Sequence, residues 1–127
     1  MAQRIKHNLL SKYYKISTKL GVLHVHIDYD KENNIQRVFS QIAPLGSDTA
    51  NSVALLGIML SEYFKIGGKP AAMLKHLNSV KGQVIGKWED IEILSLPHAI
   101  GLAIQAFLED IAEKSADKHV IDKDRAK

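Results

Sequence analysis

The chain has 127 residues and is 46% hydrophobic, which suits one globular domain and excludes the large catalytic barrels, which need roughly 200 residues. It holds no cysteine, so disulfides, thiolate metal sites and cysteine nucleophiles are excluded. The net charge is +3, and Arg4, Lys6, Lys12, Lys15 and Lys19 all precede the first acid, Asp28; an all-basic start of this kind favours an anionic partner.

The first apolar pair, Leu9-Leu10, is followed at once by Ser11 and Lys12. No signal peptide is read there, and no run approaches the ~20 apolar residues of a membrane span. The expectation is a soluble, cytoplasmic protein with no membrane partner.

"YYKIST" and "VLHVHIDYD" read as two strands around a tight turn at Gly21. In the second, Leu23, Val25, Ile27 and Tyr29 alternate with His24, His26 and Asp28, so period two sends the first set to the core and the second to the opposite face. "KENN" is a turn, because Asn tolerates left-handed backbone angles. "IQRVFSQI" is a third strand, with Val38 and Ile42 inward and Arg37, Phe39 and Gln41 outward. The period then changes. Val53, Leu56, Leu60 and Phe64 recur at helical spacing, with Asp48 or Thr49 as the cap and Gly67-Gly68 as the stop. Leu55, Ile58 and Met59 widen this apolar surface beyond one stripe, which predicts burial of Leu55 or Met59 against a second subunit.

A short helix follows from Pro70, with Gly82 expected just past its end. "QVIGKWEDIEI" is a connection or short strand carrying the only tryptophan, Trp88. The last helix starts near Ser95, and Ile100, Ile104, Phe107 and Ile111 form its inner face. After Ser115 the charged stretch is expected to fray. Strands precede helices, so the predicted fold is α+β: a small antiparallel meander of about three strands, then two to three helices packed on one face. The expected organisation is a basic segment over residues 1–12, one domain over 13–115 and a polar tail over 116–127.

Four stretches, in order, carry a family resemblance: "YKISTKLGVLHVHIDYD", "QRVFSQIAPLGSDTANSVALLGIMLSEYFKIGG", "MLKHLNSVKG" and "ILSLPHAIGLAI". Together they resemble the TSCPD domain, found at the carboxyl end of adenosylcobalamin-dependent ribonucleotide reductases and in small stand-alone proteins. The resemblance covers about residues 13–108. It implies the same fold and, as one role, an accessory partner of a separately encoded reductase. The family often has cysteine in the glycine turn, where this chain has Leu20. It often has cysteine in the loop before the first long helix, here "LGSDTA", and after the short helix, here "NSVKGQVIGKWEDI". In the motif that names the family, this chain has Ser95-Leu96-Pro97-His98. Thiol chemistry supported by those cysteines cannot occur here, and the large reductase active-site domain is absent from this stretch.

Candidate chemistry falls in four places. His24, His26 and Asp28 share one strand face, a pattern that can serve zinc or iron(II); the plain alternative is the polar side of a half-buried strand. Gly46, Ser47 and Thr49 precede a long helix, whose free amides can hold a phosphate; the plain alternative is an ordinary capped start. Lys81, Lys87 and Trp88 can stack on a base and hold a phosphate, or Trp88 simply plugs the core edge. His98 sits in the first turn of the last helix, where it favours the neutral ring. It lacks a visible orienting partner for base catalysis.

With Arg37 added from the exposed sheet face, these residues point to a non-catalytic, self-associating protein that binds a nucleotide or nucleotide-derived anion without a cofactor. By analogy with phage anti-defence proteins, sequestration of a signalling nucleotide is one such role. A small metal-dependent hydrolase using His24, His26, Asp28 or His98 ranks last. Nucleic acid is not the expected partner, because 14 acids offset most of the 17 bases and no reader motif is present.

Overall fold

The computed structural model describes residues 9–125. Three antiparallel strands, β1 (Leu10–Thr18), β2 (Gly21–Tyr29) and β3 (Ile35–Ile42), form a sheet in the order β1-β2-β3. The helices α1 (Asp48–Lys65) and α2 (Pro70–Asn78) follow, then a small hairpin of β4 (Gly86–Trp88) and β5 (Ile91–Ile93), and finally α3 (Leu96–Arg125). The fold is α+β, as the period change predicts.

The turns set the register. Lys19 and Leu20 alone link β1 to β2, and Thr18 pairs with Gly21. Gly21 has φ +136°, and a β-carbon there would lie 2.8 Å from the Ala43 carbonyl oxygen, so only glycine fits. Between β2 and β3, the Asp30 carboxylate accepts from the backbone N–H of Glu32 and Asn34, and Asn33 adopts φ +67°.

The alternating apolar residues build the core. Ile16, Leu23, Val25, Ile27 and Ile42 from the sheet meet Ile100, Ile104 and Phe107 from α3, all fully buried. The Phe107 ring meets Tyr29 edge-on, with centroids 4.9 Å apart. Burying a ring of that size contributes about 1.5–3 kcal/mol. Tyr14 reaches across to α3 and donates to Asp110 at 2.6 Å.

α1 lies along β3, seated by small residues. The Ser61 hydroxyl accepts from the Val38 N–H and lies 2.9 Å from the Val38 and Gly57 carbonyl oxygens, to one of which it donates. Ser40 donates to the Val53 carbonyl at 2.6 Å. A β-carbon at Gly57 would fall 2.6 Å from Ser40 Oγ and 3.1 Å from both Ser40 N and Val38 O. The helix therefore approaches the strand only because position 57 is bare.

Several local expectations are corrected. The α1 cap is Ser47, whose side chain accepts from Ala50 N–H, and not Asp48 or Thr49. Asp48 instead lies in the first turn, where its charge suits the helix dipole. α2 ends at Asn78 with Ser79 as its cap, and Gly82 plays no part in that stop; its N–H donates to the Leu94 carbonyl. "GKWEDIEI" is a two-stranded hairpin, closed by Glu89 and Asp90 at φ +49° and +69°, the left-handed pair that a two-residue hairpin turn requires. The α3 backbone stays helical past Ser115, where fraying is expected, to Arg125. Among the described residues, no helix is long and apolar enough to cross a membrane.

Candidate functional site

The start of α1 and the start of α3 come together with the β1–β2 turn. Leu20, Val53, Leu56, Leu96 and Pro97 line a cleft of about 320 Å³, and Asp48, Thr49 and Ser52 supply its polar groups. A cleft of this volume suits a small ligand. First-turn residues of both helices line it: Asp48 and Thr49 of α1, Leu96 and Pro97 of α3. Of the predicted α1 residues, Thr49 lines the cleft, while the Ser47 hydroxyl is committed: it caps Ala50 and donates to the Pro44 carbonyl at 2.9 Å. Gly46 precedes it in the loop with φ +85° and nothing within 4 Å of where a β-carbon would sit.

The α3 start is fixed by its own side chains. Ser95 Oγ accepts from the His98 N–H at 3.0 Å and donates to the Val80 carbonyl. The Leu94 N–H donates to His98 Nδ1 at 3.0 Å, so the neutral ring carries its proton on Nε2. With Ser95 Oγ and His98 Nδ1 both spent on backbone groups, the two do not form a nucleophile and its base. Burial, and then the charge of Lys81, hold the His98 pKa below its ordinary value.

That shift has a pH consequence. The unfolded chain protonates His98 near the ordinary value of about 6.5, whereas the folded chain does so at lower pH. Between the two values the unfolded state binds more protons, so stability falls as pH drops through that window and is untouched above it. Thermal melts should show a smaller loss between pH 7.5 and 5.5 for His98→Asn than for the parent. Equal losses would rule out His98 as the source.

No family model, no curated protein and no solved structure matches this chain.

The remaining candidates lie elsewhere. Trp88 is half-buried against the core and meets Tyr14 edge-on at 6.2 Å, which places it at the core edge, with Lys87 on the same hairpin strand. Arg37 lies on the outer sheet face, where its guanidinium is 2.7 Å from Asp28. His24 and His26 share that face, but Asp28 is held by Arg37, and the Tyr13 hydroxyl bonds His24 Nδ1. Among the described residues, no group of three or more His, Asp or Glu side chains is placed to hold a metal.

Sequence patterning missed Leu20, Ser52 and Pro97 as cleft residues, because the cleft exists only once two helices and a turn are packed.

Proposed function

We propose that the chain is a non-catalytic, self-associating binding protein for a nucleotide or nucleotide-derived anion, acting in the cytoplasm to sequester a signalling nucleotide. The observation that carries this reading is the convergence of two helix starts and the Leu20 turn on one largely apolar cleft. The apolar walls suit a base. Asp48, Thr49 and Ser52 suit ribose hydroxyls or a base amino group. Lys81, whose charge acts on His98 at the α3 start, suits a phosphate. The absence of catalysis is supported by the backbone commitments of Ser95 and His98. Self-association is supported by Leu55, Ile58 and Met59, which leave 55%, 60% and 58% of their surface exposed on one side of α1.

The test is a thermal-shift screen of linear and cyclic nucleotides. A ligand at a hundredfold excess over its Kd stabilises by about 2.7 kcal/mol, which raises the melting temperature by roughly 10 °C. Ser52→Trp changes an exposed residue at the cleft and should abolish that rise, while the ligand-free melt moves by no more than about 2 °C. A flat screen, or a rise that survives Ser52→Trp, would remove the reading.

A further inference from the structure

The outer face of the sheet carries a row that no contiguous motif contains. Tyr13 on β1 pairs directly with His26 on β2, and His26 pairs directly with Phe39 on β3. Neighbouring strands lie about 4.8 Å apart, so the three rings form one transverse line about 10 Å long. The rings interact: Tyr13 and His26 centroids are 4.7 Å apart, and His26 and Phe39 6.2 Å. Tyr13 also stacks on His24 at 5.7 Å with planes only 13° apart. Among the described residues, the buried positions of the strands alternate onto the opposite face, so this one is left to solvent. Tyr13 is 47% exposed and Phe39 55%.

The row on either side carries one cation. Lys15 lies across from His24 two residues to one side, and Arg37 lies across from Asp28 two residues to the other. Among the described residues of the three strands, Asp28 is the one acid on this face, and it is ion-paired with Arg37. A shallow depression of about 390 Å³ runs beside the row between Ser11, His26, Asp28, Arg37 and Phe39. Aromatic faces that project from an open sheet between flanking cations are what unpaired bases stack on, because every base has a π-face and every linkage a phosphate. A peptide would want pockets or a free strand edge, and a lipid surface would want aliphatic side chains; this face offers rings and cations.

We propose that this face binds single-stranded nucleic acid, with bases stacked on Tyr13, His26 and Phe39 and phosphates drawn to Lys15 and Arg37. The site is separate from the cleft at the helix starts and does not depend on the nucleotide reading.

The experiment is fluorescence anisotropy of the full chain with a labelled short oligouridylate, a labelled short oligothymidylate and a duplex. The single strands should bind, with RNA or DNA preference read from the first two arms, and the duplex should bind at least tenfold more weakly. Tyr13→Ala combined with Phe39→Ala should weaken binding at least tenfold, with the melting temperature little changed, because both rings are about half exposed. Arg37→Ala should flatten the dependence of log affinity on log salt by about 0.7. Ser52→Trp should leave oligonucleotide binding as it is, so failure here and failure at the cleft are distinguishable. Absence of binding to both single strands, equal affinity for duplex, or full affinity in the double variant would overturn the proposal. A changed molecular mass in the double variant with oligonucleotide binding intact would assign the face to a second copy, and would also overturn it.

Discussion

Gly57→Val is expected to lower the melting temperature by roughly 10–20 °C, or to leave the chain unfolded. Two of the three atoms nearest the absent β-carbon, Ser40 N and Val38 O, are backbone and cannot turn aside. α1 must then back away from β3. That movement breaks the Ser61 bridge to Val38 and the Ser40 bond to Val53, all buried. Overpacking costs about 1–3 kcal/mol, and each buried group left unpaired adds about 1–3. Gly57→Ala should fall in between, because the gain in helix propensity of about 1 kcal/mol partly offsets the clash. Circular dichroism melts measure both. A valine variant that melts within about 2 °C of the parent would show that the seam between α1 and β3 yields.

Leu55→Glu combined with Met59→Glu is expected to convert a self-associated protein into a monomer of 14.1 kDa by light scattering. Leu55, Ile58 and Met59 sit three and four residues apart, so they form one ridge. The two ends of α1 carry opposite charges, Asp48 in the first turn and Lys65 in the last. Two copies packed antiparallel along this ridge would set each acid near the partner's base and oppose the two helix dipoles. A carboxylate buried there without a partner costs several kcal/mol, and each 1.4 kcal/mol is tenfold in affinity. Both side chains point away from the core, so the variant should keep its melting transition apart from what dissociation removes. A parent chain that scatters as a monomer at micromolar concentration would contradict the prediction.

The strands were legible because a two-residue period needs only a few residues to declare itself. Leu23, Val25, Ile27 and Tyr29 are buried as their alternation requires. The start of α3 was legible for the same local reason: Ser95, Pro97 and the stripe from Ile100 act within two turns. The α1 cap was less so, because Ser47, Asp48 and Thr49 can each accept from a helix amide, and only the backbone decides among them. The hairpin around Trp88 was ambiguous because three-residue strands carry too little pattern, and its turn uses Glu89 and Asp90 at left-handed angles that glycine usually takes.

The sites were harder to read than the elements. The cleft draws on Leu20, on the first turns of α1 and on Pro97, segments brought together only by packing. The line of rings on the sheet needs three strands in register at once. The first pairing depends on the turn: a turn at Gly21, as the pattern suggests, shifts the register by one, whereas Gly21 already belongs to β2 and pairs with Thr18. The second was no more open to inference, because the pairing of β2 with β3 is irregular at Asp28 and Tyr29. Alternation marks Phe39 as outward-facing, and only the pairing of all three strands sets it in line with His26 and Tyr13.

The serine bridge between α1 and β3 has a bearing on how copies of the chain can meet. A strand whose outward N–H and C=O are free invites another strand to extend the sheet, and that growth has no natural end. At Val38 the N–H already donates to Ser61, whose hydroxyl also lies 2.9 Å from the Val38 carbonyl oxygen. An incoming strand would find that donor spent and α1 standing against it, so at this point β3 does not offer a free edge for the sheet to grow.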